Sequence, residues 1–153
     1  GRSVSFTPPD TGATASQTGE LFREFLPTLP ASTAPGTTWV DTVHATPSQP
    51  GMTIRSQSVR QHQVVGWEMH DGVRALKVAT NGVYTISGEG ESQGQQLLMT
   101  GGGTNVSERF ISAAGVFLGS AVRDSTSLNV SVVSAGIEVP VRQIRRSTTT
   151  RLP

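Results

Sequence analysis

Apolar and polar residues alternate along most of the chain, and turn-forming dipeptides divide this alternation into runs of strand length. The clearest case is residues 60–88, where Asp71-Gly72 and Asn81-Gly82 separate three apolar-rich runs. Such dipeptides favour tight turns between antiparallel strands. We therefore predict a three-stranded meander, with a two-residue turn at Asp71-Gly72. At Asn81-Gly82 the apolar pattern favours a loop over 81–83 or an adjacent bulge.

The turn at Asp71-Gly72 sets the register of the first hairpin. A two-residue turn places Trp67 opposite Leu76 and Val65 opposite Val78, so that the four side chains share one face. Because side chains alternate along a strand, the same register puts His62 on the other face, where it is expected to be exposed.

Similar alternating runs occur along the rest of the chain, at 36–43, 52–59, 95–100, 107–112, 116–123, 128–132 and 137–142. Breaks are expected at the polar stretch 88–94 and at the glycine triplet 101–103. Together these runs predict a mainly β fold of eight to ten short antiparallel strands. Their spacing is typical of a strongly curved sheet, which means a half-barrel, a barrel or a sandwich.

The N-terminal stretch is different in character. Thr18 can cap a short helix near 19–26, whose apolar residues fall on one stripe, and Pro27 ends it. A proline-rich connector follows, so the predicted organisation is an extended segment with one short helix over 1–36 and an antiparallel β domain over 37–153. The helix is expected to pack on the sheet; the alternative is a helix that binds a partner or acts as a gate.

The hairpin around Ala113-Ala114-Gly115 is apolar on both sides. A three-residue loop with its glycine in the left-handed conformation pairs Phe110 with Leu118 and Ile111 with Phe117, and adjacent pairs lie on opposite faces. Either both faces of the sheet are covered, or one face lines an apolar cavity. The candidate ligand-binding residues are therefore Trp67, Phe110, Ile111, Phe117 and Leu118.

The last hairpin alternates cleanly between apolar and polar residues. A two-residue turn at Ala135-Gly136 pairs Val132 with Val139. Pro140 cannot donate to a ladder of hydrogen bonds, which predicts an edge strand or a bulge at that position.

Composition narrows the range of chemistry. A chain of 153 residues suits one domain, and its formal charge of +1 does not favour a nucleic-acid partner. Cysteine is absent, so neither disulfides nor thiolate metal sites are expected, and no apolar run is long enough to span a bilayer. No cofactor is indicated.

Titratable residues give weak signals for catalysis. His70 next to Asp71 is expected to be a solvated hairpin end rather than a metal site. A triad of Asp41, His44 and a serine can be assembled on paper, but the sequence has no nucleophile elbow. Arg142, Arg145, Arg146 and Arg151 make the C-terminal stretch basic, which suits an anionic partner or a solvated edge that discourages aggregation.

Residues 36–42, which read GTTWVDT after a proline-rich lead, resemble uncharacterised bacterial exported proteins and lipoproteins with a G-x-x-W-x-D-T strand. The similarity continues through 66–78, 88–90 and 110–119, and spans roughly residues 21–145. It implies no catalytic residues. It implies a curved sheet similar in architecture to the half-barrels of periplasmic lipoprotein carriers, with a helix on the concave side.

These observations lead to three functional hypotheses. The first is a non-catalytic envelope or secreted protein that binds a lipid or another apolar ligand in a curved sheet. The second is a structural subunit that associates with a protein partner through strand edges, and the third is a hydrolase. The predicted location is the periplasm, the cell envelope or the exterior. The first residues, Gly1-Arg2-Ser3, suggest that an upstream segment such as a signal peptide has been removed.

Overall fold

A single antiparallel sheet accounts for nearly all of the computed structural model, which describes residues 29–46, 48–49 and 51–151. The long strands pair in chain order, and the two-residue β2 adds to β3. Within the described residues β1 and β7 are the edges, so the sheet is open. The strands are β1 (Thr38–Ala45), β2 (Ser48–Gln49), β3 (Met52–His70), β4 (Val73–Ser92), β5 (Gln95–Ser112), β6 (Phe117–Val132) and β7 (Ile137–Thr150).

The prediction of a mainly β, antiparallel fold is confirmed, but the predicted number of strands is wrong. Six long strands and one short one replace eight to ten short strands, because neighbouring predicted runs merge into continuous strands and two expected breaks lie inside them. Asn81-Gly82 lies in the middle of β4, where β3 and β5 flank it on both sides. The ladders satisfy the backbone groups there, so no turn forms. The glycines at 101–103 lie inside β5 in the same way.

The turn at Asp71-Gly72 forms as predicted. Both residues have positive φ, 48° and 76°, as a type I′ hairpin turn requires. Trp67 lies opposite Leu76, which confirms that pair.

Beyond that pair, a bulge changes the register of β3. Val64, and not Val65, lies opposite Val78, because the ladder shifts between Val64 and Gly66. The bulge adds one residue to β3, so every earlier side chain of that strand changes face relative to the prediction. The prediction that His62 is exposed is therefore wrong, and its exposed fraction is 1%.

The β5–β6 loop has Gly115 in the left-handed conformation, with φ of 80°, as predicted. Ile111 pairs with Phe117 as expected, but a second irregularity sets Phe110 opposite Gly119 instead of Leu118.

The β6–β7 connection is longer than predicted. A 3₁₀ turn over Val133–Ala135 and the left-handed Gly136 replace the two-residue turn, so Val132 pairs with Ile137 rather than Val139. The shift is two residues, so each side chain keeps its predicted face. Pro140 lies on the edge strand β7, as predicted.

The two faces of the sheet have separate apolar clusters. The front face is defined here as the side that carries Val64, Leu76 and Val78, against which Leu29 and Trp39 also pack. The back face carries a second cluster, formed by Ala75, Phe110 and Leu118. Both clusters lie at the end of the sheet with the 71–72 and 113–116 connections, which we call the core end. The opposite end is the far end.

Leu29 is the first described residue, and it contacts the front-face cluster. Residues 29–37 contain no helix or strand, in keeping with the predicted proline-rich connector. Backbone hydrogen bonds tie this connector to β3: the Gly36 amide donates to the Val64 carbonyl at 2.8 Å, and the Val64 amide donates to the Thr37 carbonyl at 2.9 Å. The helix predicted near 19–26 lies outside the described residues.

Candidate binding groove

A buried polar cluster borders the front-face apolar cluster. His62 Nδ1 is hydrogen-bonded to Thr80 Oγ1 at 2.8 Å, and its Nε2 lies 3.3 Å from Asp41 Oδ2. Trp39 stacks on the imidazole, with 4.9 Å between ring centroids. Burial lowers the pKa of His62, and the charge of Asp41 opposes this effect only in part. The ring is therefore held in its neutral form.

This cluster has the order acid, imidazole and hydroxyl, but it is closed to substrate. Thr80 is 1% exposed, and its hydroxyl also accepts a hydrogen bond from Arg109 Nη1 at 3.1 Å. A nucleophile needs a reactive oxygen that a substrate can reach. His44, which the sequence placed with Asp41, is three residues further along β1 and therefore projects from the opposite face. The cluster fixes β1, β3, β4 and β5 together.

A groove of about 330 Å³ lies next along the front face, towards the far end. Its lining comes from five adjacent strands, β3 to β7, at alternating positions that share one face. The lining residues are Ser56, Ser58, Arg60, Tyr84, Ile86, Asn105, Asp124, Thr126, Gln143 and Arg145.

Asp124 is the hydrogen-bonding centre of one side of the groove. Its Oδ2 accepts from Arg145 Nη2 at 2.9 Å and from Arg145 Nε at 3.0 Å. Its Oδ1 accepts from the Asn105 side-chain amide. These contacts join β5, β6 and β7 and neutralise the Asp124 carboxylate.

Arg60 lies on the other side of the groove, with a different set of contacts. Its Nε donates to Ser58 Oγ at 3.3 Å, and it makes no ion pair within the described part of the chain. Asp41 is opposite it in the β1–β3 ladder, but that carboxylate approaches His62. Gly82 leaves room for the Arg60 side chain, because a Cβ at Gly82 would be 3.3 Å from Arg60 Cγ.

Tyr84 forms part of the groove floor. Its ring lies over Gly103, where a Cβ would be 2.6 Å from the phenolic oxygen, and its hydroxyl is hydrogen-bonded to Thr126 Oγ1. A glycine within a strand leaves room for a neighbouring group to approach the backbone closely. Gly103 therefore leaves room for the Tyr84 ring on the front face of β5.

Beyond the groove the front face becomes apolar up to the far end. We call this surface the apolar end; its side chains also come from all five strands, and those on β7 are 41–53% exposed. Its members are Met52, Ile54, Ile86, Leu97, Met99, Leu128, Val130, Val132, Ile137, Val139 and Val141. The front face thus presents a charged groove continuous with an apolar surface.

The five ligand-binding residues predicted from the sequence all lie at the core end, away from this groove. Phe110 and Leu118 are buried together on the back face, whereas Ile111 and Phe117 pair on the front face. Trp67, also on the front face, has the Arg74 guanidinium 5.2 Å from its ring centroid. Their role in ligand binding stays a prediction. Arg145 was named from the sequence only as part of the basic C-terminal stretch, and the other groove residues were missed as candidates because only the pairing of five strands brings them together.

His70, expected to be solvated, instead stacks on Phe110, with 3.9 Å between ring centroids. In the described ranges no group of three histidine and acidic side chains could hold a metal ion. No helix among these residues is long and apolar enough to cross a membrane. The chain matches no protein-family model, no curated protein and no solved structure at a significant level.

Proposed function

We propose that this protein is a non-catalytic domain of the bacterial envelope, or a secreted one, that binds a lipid or similar amphipathic molecule along its front face. The observation that carries the proposal is the apolar end, which the described residues leave partly open to solvent. Contiguous apolar surfaces of this kind mark sites of interaction. The polar groove beside it offers a place for the polar part of the same ligand.

The finer architecture belongs to this proposal as well. A strongly curved sheet, similar to the half-barrels of lipoprotein carriers, would place the apolar end on the concave side. The resemblance of residues 36–42 to exported proteins supports an envelope or extracellular location. An apolar ligand on that side would be shielded from water, which favours binding by about 25 cal/mol per Å² of apolar surface covered.

The test is native mass spectrometry of the gently purified protein, followed by solvent extraction and by titration with the neutral fluorescent probe N-phenylnaphthylamine. A stoichiometric apolar mass on the monomer, or saturable probe binding, is the expected result. A bare monomer that binds no probe would refute the proposal.

Two isoleucines of β7 provide a matched pair for that titration. Ile137 lies on the front face and Ile144 on the back face, and both are 53% exposed. Covering about half of an isoleucine side chain is worth about 1 kcal/mol, so Ile137→Ser is expected to weaken probe binding roughly fivefold. Ile144→Ser should leave binding unchanged. Equal effects of the two substitutions would show that the probe does not bind at the apolar end.

Assembly through a sheet edge is the second candidate, and the edge strand β7 favours it. Its 14 residues pair with β6 alone, and all but Thr149 are exposed. An edge of this length can accept another strand. Pro140 and the exposed arginines of β7 work against such pairing, which is why this function ranks second. Sedimentation at rising protein concentration tests it, and bare oligomers would support it.

A further inference from the structure

We infer that the ligand of the front face carries an anionic headgroup, and that Arg60 binds this headgroup in the groove. The inference rests on the proposed function and adds the chemical class of the ligand. Its basis is the charge of the groove and the direction in which the apolar end extends from it.

The charge of the groove favours an anion. Three charged residues line the groove, Arg60, Asp124 and Arg145, which gives two positive charges and one negative charge. Arg145 and Asp124 neutralise each other in a close, double contact. The remaining positive charge among the lining residues belongs to Arg60, which is half-buried and makes no ion pair within the described residues, so its guanidinium favours an anion in the same groove. Asp41, opposite Arg60 on β1, approaches His62 and does not line the groove.

Arg60 also has hydrogen-bonding capacity that the described residues do not use. The Asn105 amide donates to Asp124, and the Tyr84 hydroxyl is engaged with Thr126. Arg60 uses only Nε, on Ser58, so its two terminal nitrogens have no hydrogen-bond partner within the described residues. A guanidinium offers two parallel N–H groups to a carboxylate or a phosphate. Either of these anions fits the chemistry.

The position of Arg60 on the front face indicates where the rest of the ligand lies. Arg60 lies between the buried polar cluster on one side and the apolar end on the other, which extends towards the far end. Met52, at the other end of β3, is eight residues away, which corresponds to about 26 Å of strand. A headgroup on Arg60 therefore leaves an acyl chain on the apolar end. The buried cluster offers no exposed surface to an acyl chain on the other side of Arg60, which favours this orientation of the ligand.

The experiment compares dodecanoate with dodecanol at neutral pH, by displacement of N-phenylnaphthylamine from the full chain. The two probes share one apolar chain, and only dodecanoate is charged. We expect wild-type protein to bind dodecanoate about tenfold more tightly. Arg60→Gln should abolish this preference and leave dodecanol binding unchanged. Arg55→Gln is the matched control, because Arg55 lies on the same strand but on the back face, 3.8 Å from Glu89.

The outcomes separate the two proposals. If the wild type binds dodecanoate and dodecanol equally, the anionic headgroup is refuted and the proposed function still stands. A preference for dodecanoate that survives Arg60→Gln would overturn the role of Arg60. If neither dodecanoate nor dodecanol binds, both the proposed function and this inference are refuted. A phosphate in place of the carboxylate is distinguished by repeating the comparison with dodecyl phosphate.

Discussion

Val64 and Val65 are neighbours in β3, and the bulge decides which of them is in the core. Val64 is 0% exposed and packs with Leu76 and Val78, whereas Val65 is 47% exposed. Truncation of valine to alanine removes two methyl groups, each worth about 0.8 kcal/mol when buried. With the cavity that remains, Val64→Ala is expected to lower the free energy of unfolding by about 2–3 kcal/mol. Val65→Ala should lower it by less than about 1 kcal/mol.

Urea unfolding, followed by tryptophan fluorescence, measures both values. The loss of strand propensity is common to the two substitutions, so their difference of about 1–3 kcal/mol reports burial. Similar m-values for the two variants are needed to interpret the midpoints as stability. An unbulged hairpin would place Val65 opposite Val78. If Val65→Ala proves the more damaging substitution, the bulge and the buried position of His62 are both wrong.

Two further predictions concern the buried cluster and the groove floor. Because burial lowers the pKa of His62, the unfolded chain takes up the proton first as pH falls; stability should therefore decrease as pH drops below about 6.5. His62→Gln should remove this part of the pH dependence of stability. The free energy of unfolding is measured by urea titration at several pH values; if it falls with pH as steeply in the variant as in the wild type, the reasoning is contradicted. Gly103→Ala should lower stability by about 1–3 kcal/mol, because its Cβ would overlap the Ser125 carbonyl oxygen and lie 2.6 Å from the Tyr84 hydroxyl. Gln96 is exposed on the same strand, so Gln96→Ala should change the free energy of unfolding by about 0.5 kcal/mol at most. Equal losses of stability in the two variants would argue against close packing at Gly103.

The sequence predicts the strand type and several turns because these depend on local signals. Asp71-Gly72 forms its turn since both residues tolerate positive φ, and nothing outside the hairpin opposes it. Asn81-Gly82 carries the same local signal, but continuous pairing on both sides of β4 overrides it. The bulge at Val65 has a weaker local signal, the isolated Gly66 beside it, whose φ is 151°. It depends on how β3 meets β4, and it moves His62 from the exposed face to the core.

The candidate groove was harder to predict for a similar reason. Arg60 and Arg145 come from strands separated by most of the domain, and only the complete pairing order brings them to one face. The alternation of Val130 and Val132 with polar residues did place them on one face of the last hairpin. The function of that face could not be read from it, because a buried core and a ligand surface have the same period.

The order of the strands has a consequence for how the molecule opens. Each long strand pairs only with its neighbours in the sequence, as successive units do in a repeat protein. The cooperativity of unfolding is then expected to weaken with distance from the two apolar clusters. β7, which has one neighbour and almost no buried side chain, can detach while β3, β4 and β5 stay folded. Its amide hydrogens should exchange with solvent well before theirs, and detachment of β7 would open the groove along the side that holds Arg145.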